Sequence, residues 1–265
     1  MSWVEQMHRI VRRGAVYDLA RPLFVGAPRY PTHPPFLFAM MKGHGDNPYA
    51  GGVSSATDLF TMSCHGGTHI DALCHFSLDG RLHGGLVAAE VQDRARGIAA
   101  LDIPTLSLAP RRGLLLDVAG YRGVPALGPG EVVTPDDLAG AAAAAGVALE
   151  PGDAILVRTG WSLHWRDPVV YSGSRGAPGV GLAAAEWMLA QGAGLTGSDT
   201  TAYEPQPSTD FPVHVRLLVQ AGVPIVETLD LDQLARERVY EFMLHILPLP
   251  LRGATGSPIR PVALA

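Results

Sequence analysis

Lysine is all but missing from this 265-residue chain, with Lys42 the only one. Arginine carries most of the positive charge, but no basic run exceeds Arg12-Arg13 or Arg111-Arg112, and the net charge is −5. That balance argues against a polyanion-binding surface, so no nucleic-acid partner is expected. Cysteine is scarce too. Cys64 and Cys74 cannot frame a disulfide-rich scaffold, and they point to a reducing compartment, the cytoplasm. No apolar run reaches 18 residues, which argues against a membrane span. There is no Gly-x-Ser-x-Gly elbow, no Gly-x-Gly-x-x-Gly following a predicted strand, and no phosphate loop. Serine-nucleophile and nucleotide-cofactor chemistry are therefore not indicated.

What is present is a globular composition: 47% apolar residues, in a length able to bury a sizeable core. Thirty-one glycines and 22 prolines, spread throughout, predict many short elements joined by tight turns. Strands are expected at 16–19, 36–41, 57–63, 113–118, 154–159, 194–197, 224–228 and 241–247. Runs such as Leu114-Leu115-Leu116 suit strands covered on both faces. Thr134-Pro135-Asp136-Asp137 is a helix start, with a cap, a proline at the first helical position and acids in the first turn. Further helices are expected over 182–191 and 213–221. With no repeat and no linker, the reading is a single α/β domain with a mixed, strand-rich core and a few flanking helices. Residues 1–14 show helical spacing of Trp3, Val4, Met7, Ile10 and Val11 with a polar back, predicting a short amphipathic helix that packs on a partner subunit. Residues 41–56, rich in Gly, Asn, Pro and Ser, predict a long loop, either a lid or a surface insertion.

The chemistry concentrates in Ser63-Cys64-His65-Gly66-Gly67-Thr68-His69-Ile70-Asp71-Ala72-Leu73-Cys74-His75-Phe76. His65, His69, Asp71 and His75 are four possible metal ligands within eleven residues. Imidazole nitrogen and carboxylate oxygen suit zinc or manganese equally, so the metal identity stays open. His69 and Asp71, two apart, point to one side of an extended chain, and Gly66-Gly67 permits a bend returning His65 to that side. No lysine, arginine or glutamate interrupts the segment, so it does not read as a solvated face. Each cysteine neighbours a histidine, so in an extended chain it faces the other way and packs among apolar groups.

His-Gly-Gly-Thr-His-Ile-Asp-Ala-x-x-His-Phe resembles the signature of the metal-dependent cyclase family, which includes bacterial arylformamidases and isatin hydrolases. Val16–Leu23, Val157–Trp161, Thr196–Thr200, Phe211–Glu227 and Gly253–Ile259 resemble further family segments in the family's order. The resemblance implies the cyclase-family fold, swivelling β/β/α-like, with one or two divalent ions. It implies His65, His69 and Asp71 as ligands of one ion, and Asp71, His214 and Glu227 as ligands of a second. His75 matches the proton donor and acceptor, while Tyr30 and Asp199 fall at substrate-binding positions. Two departures stand out: Leu73 replaces a common proline, and Tyr30 replaces a tryptophan set against the aromatic substrate. The 41–56 loop and the N-terminal helix are additional to a typical arylformamidase.

Together these features imply an amidohydrolase opening a C–N bond in a small aromatic or cyclic amide or formamide, with metal-activated water as the nucleophile. The alternatives are a cyclase or lactone-forming enzyme of secondary metabolism, and a metal-binding protein without turnover. Relatives of this kind imply a homodimer or homotetramer.

Overall fold

The apolar runs become the centre of a mixed sheet in the computed structural model of the chain, which describes residues 3–265. The main elements are α1 (Trp3–Ile10), β1 (Val16–Asp18), β2 (Leu37–Lys42), β3 (Thr57–Thr61), β4 (His69–Asp71), β5 (Arg111–Asp117), α2 (Pro135–Ala145) and β6 (Ala154–Arg158). They continue with α3 (Leu182–Ala190), β7 (Leu195–Ser198), α4 (Pro212–His214), β8 (Ile225–Glu227), β9 (Glu241–His245), β10 (Gly256–Pro258) and β11 (Val262–Leu264). Helix α4 runs on as wider π-helical turns over Val215–Ala221.

Nine strands form one sheet in the order β1-β11-β9-β5-β6-β7-β8-β4-β10. The central four, β5 to β8, are parallel, and the pairings outside them are antiparallel. Residues of the central strands are buried on both faces because neighbouring side chains alternate between two cores. Leu115, Leu156 and Val226 join Tyr17, Leu19, Leu231 and Phe242 on one side. Leu116, Ile155, Val157 and Ile225 meet α2, α3 and α4 on the other, through Leu138, Met188 and Leu217 among others. Helix α2 starts as its sequence predicts. Thr134 and Asp137 form a reciprocal capping box, Pro135 opens the helix, and Gly146 closes it in the left-handed conformation.

Three expectations change. The helix predicted over 1–14 is described from Trp3 and ends at Ile10; its first two residues lie outside the described part. It lies against β9 of its own chain, with Ile10 buried and Arg9 reaching Glu241 at 3.3 Å. Strands β2 and β3 pair only with each other, as an antiparallel ribbon whose loop begins after Lys42. Their apolar side chains occupy both faces of the ribbon, so neither face matches a one-sided core. Strand β11, between prolines and the end of the chain, was not expected. Among the described residues no helix is long and apolar enough to cross a membrane.

Candidate metal centre

Strand β4 supplies two of the grouped side chains and its neighbours supply the space. His69 and Asp71 project to one side, and the register sets Glu227 of β8 opposite His69. Gly67, at φ +61°, turns the chain so that His65 Nδ1 comes 2.7 Å from Asp71 Oδ1. On the other flank β10 places Gly256 opposite Asp71, and a Cβ there would lie 2.5 Å from the His65 ring. Helix α4 brings His214 over the same face: its Nε2 lies 3.2 Å from Glu227 Oε1 and 3.9 Å from Asp71 Oδ2. His69 Nε2 sits 3.5 Å from both Asp71 Oδ1 and Glu227 Oε2. Two buried triplets result, His65/His69/Asp71 and Asp71/His214/Glu227, each with its candidate ligand atoms within 4.8 Å of one another. Asp71 belongs to both.

The donor set fits a divalent cation on two counts. Asp71 Oδ2 is buried and, among the described residues, has no hydrogen-bond partner, an arrangement costly for a carboxylate unless a positive charge meets it. The far ring nitrogens of the histidines are also already engaged. His69 Nδ1 is 2.8 Å from the Gly67 carbonyl, which must accept its hydrogen, leaving Nε2 with a lone pair facing the carboxylates. His65 Nε2 meets Thr255 Oγ1 at 2.9 Å, and His214 Nδ1 meets Glu204 Oε1 at 2.5 Å.

Glu204 was not singled out in the sequence. It is buried, and besides the His214 ring it accepts the backbone N–H groups of Val213 and His214 at 3.2 Å. Those N–H groups are unpaired donors of a helix start, where a carboxylate is favoured. The available signal was an acid shortly before a Pro212-initiated helix that carries a histidine in its first turn.

Among the protein groups alone, the electrostatics divide sharply. Burial pushes His69 down to about 4 and His75 down to about 3, so both rings are neutral near pH 7. Burial also opposes charge on His214, but the hydrogen bonds and charges of Glu204 and Glu227 outweigh it and raise the ring to about 10. Burial, reinforced by the Asp71 charge, raises Glu227. Burial works against the Asp71 carboxylate as well, yet His75, His65 and His69 hold its carboxyl far below the usual range.

A cavity of about 340 Å³ opens onto these groups. Its walls are aromatic: Phe76 lies 5.4 Å from Phe211 and 4.7 Å from the His214 ring, and Tyr30 lies 6.3 Å from Phe211. His75 lines it too, stacked on His65 at 3.8 Å between ring centroids. His65, His69, Asp71, His75, His214, Glu227 and Tyr30 are thus gathered at one place. Asp199 is not. Its carboxylate is fully buried and accepts from Thr159 N, Thr159 Oγ1 and Gly160 N at 2.7–2.9 Å, fastening the turn after β6. With both oxygens occupied and no share in the cavity wall, it is an internal anchor of the fold. Cys74 is buried and Cys64 half-buried, both as free thiols.

Known proteins share sequence and fold with this chain. The family described as putative cyclase matches residues 17–205. The kynurenine formamidase of Geobacillus thermodenitrificans is 26% identical over 243 residues, 92% of this chain and 94% of that one. A crystal structure described as a novel cyclase is 30% identical and superposes with a TM-score of 0.90, covering all of this chain and 92% of that one. Isatin hydrolase A from Ralstonia solanacearum shares the fold at a TM-score of 0.73 and 22% identity, over 99% of this chain and 97% of that one. With its histidine-rich segment around β4, its mixed sheet and a match across most of its length, the chain belongs to the cyclase family.

Proposed function

We propose that this chain is a metal-dependent amidohydrolase that cleaves the C–N bond of a small aromatic or cyclic amide or formamide. The observation that carries the reading is the pair of buried triplets sharing Asp71, at the foot of an aromatic-walled cavity of about 340 Å³. His65, His69 and Asp71 would hold one zinc or manganese ion, and Asp71, His214 and Glu227 a second. When bound, a divalent cation polarises an amide carbonyl and lowers the pKa of water from 15.7 to about 7. The names of the relatives support the bond type, since kynurenine formamidase and isatin hydrolase are both named for non-peptide C–N substrates.

The chain's own residues do the remaining work. Phe76, Phe211 and Tyr30 enclose an aromatic ring and exclude water from one side of it. His75 is neutral and, among the described residues, its ring has no hydrogen-bond partner, so it can take the proton of the attacking water. The same ring nitrogen then passes that proton to the departing nitrogen. A purely structural metal site needs no such group in its cavity wall. His75→Ala tests this: ion content should persist while kcat falls at least about tenfold, at the low end of general acid–base contributions. Unchanged turnover would remove His75 from the reaction.

A homo-oligomer completes the reading. The β2–β3 ribbon exposes Leu37, Phe38, Met40, Met41, Leu59 and Phe60 across its two faces, apolar area suited to burial against a second copy of the chain. With both thiols free, the reading places the enzyme in the reducing cytoplasm.

A further inference from the structure

One wall of the cavity is a tight turn whose role the ion ligands do not explain. His33 N–H donates to the Tyr30 carbonyl at 3.0 Å, closing Tyr30-Pro31-Thr32-His33 with proline at its second position. The Arg29 guanidinium donates to the carbonyls of Pro31 at 3.2 Å and His33 at 3.0 Å, tying the turn from within. Tyr30, Thr32 and His33 all line the cavity. The His33 ring sits between those of Tyr30, 5.4 Å away, and His65, 5.6 Å away, which puts it beside the reacting centre.

One contact fixes the chemistry of that ring. His33 Nδ1 lies 3.3 Å from the His65 carbonyl oxygen. A carbonyl oxygen only accepts, so Nδ1 carries the hydrogen, and a neutral imidazole with Nδ1–H has a bare lone pair on Nε2. Among the described residues nothing hydrogen-bonds this Nε2, and it is not sealed in the interior. Of the other polar groups of the wall outside the ion ligands, the hydroxyls of Tyr30, Thr32 and Thr201 rotate and can donate as readily as accept, and no contact fixes the tautomer of His75. His33 is the acceptor with a fixed direction, held by a stapled turn.

We propose that His33 is a specificity residue that accepts an N–H or O–H of the substrate through Nε2, selecting aromatic substrates that carry a hydrogen-bond donor next to the scissile group. The inference rests on the amidohydrolase reading for the word substrate, but its recognition step is a binding event that can be measured without turnover. A site built around an acceptor rejects a ligand lacking the donor more strongly than a hydrophobic wall rejects an extra methyl group, because the acceptor is left unpaired.

The test is calorimetric titration of the zinc-loaded full chain at pH 8 with 2-aminoacetophenone and its N,N-dimethyl counterpart, aryl ketones with no amide to hydrolyse. The wild type should bind the donor-bearing ligand at least about fivefold more tightly, as one retained hydrogen bond implies. His33→Phe should weaken that ligand about fivefold and leave the dimethyl compound within twofold, and His33→Gln, offering an amide oxygen, should recover part of the preference. A wild type that binds the two equally or neither overturns the proposal, as does a Phe variant that keeps the preference or weakens both ligands alike. A preference present in a chain that hydrolyses no amide would support His33 as the reader and sink the hydrolase reading alone.

Discussion

Glu204 is the residue on which the Asp71/His214/Glu227 position, proposed above to hold a second ion, depends, and Glu204→Gln is the perturbation that exposes it. The carboxylate receives His214 Nδ1 at 2.5 Å, His214 N at 3.2 Å and Val213 N at 3.2 Å, the first two on Oε1 and the third on Oε2. An amide of the same shape keeps an oxygen for one side only and sets an NH2 group against donors on the other. It also removes the negative charge that makes His214 Nε2 a stronger donor. Partners of this kind are worth about 10- to 100-fold in metal affinity, roughly 1.4–2.7 kcal/mol. The His65/His69/Asp71 position has no contact with Glu204, so only one of two ions should weaken. Competition with a chromophoric chelator would read this as a change from two tight equivalents to one tight and one weak. The same substitution should lower the His214 pKa from about 10 in the chelated protein, as read by NMR of the imidazole. Because that pKa is raised on folding, its stabilisation of the chelated wild type is complete below about 6.5 and lost as pH rises through about 10. Two ions of unchanged affinity in Glu204→Gln, with His214 still titrating near 10, would refute the reasoning.

Other outcomes follow from the fold. Phe60→Asp on the exposed ribbon should shift the solution mass toward a single chain of 28.0 kDa in sedimentation, whereas a wild type already at that mass would end the oligomer proposal. Asp199→Asn should cost roughly 2 kcal/mol, because an NH2 group must then face a buried N–H donor; this is about 4–8 °C in Tm. An unchanged melting curve would show that the Thr159–Gly160 turn does not need its anchor.

How much was readable in the sequence depended on distance along the chain. His65, His69 and Asp71 were readable because seven residues hold them, and extended alternation plus one left-handed glycine brings them to the same place. Helix α2 was readable because its capping is local. His214 and Glu227 are about 150 residues away from the cluster, and local pattern left them an ordinary helix-start histidine and strand-end acid. Only the family resemblance singled them out. His33 carries no local signature, since it acts through the carbonyl of a residue 32 positions away, and Glu204 offers only the faint one of an acid preceding a proline-started helix whose histidine lies ten residues on. Asp199 shows the converse. A buried Asp near a cluster of functional residues resembles a binding group until its two oxygens are followed to Thr159 and Gly160. The ribbon misled for a different reason, since an apolar strand pattern does not reveal whether its cover comes from the same chain.

The most direct test of the central claim is elemental analysis of the purified protein before and after chelation, with turnover of N-formylkynurenine and isatin followed in the same samples. The account predicts one or two equivalents of zinc or manganese per chain, amide hydrolysis lost on chelation, and recovery of both on adding the ion back. A chain that holds no stoichiometric divalent metal after reconstitution, or that turns over either compound equally well without it, would contradict the account.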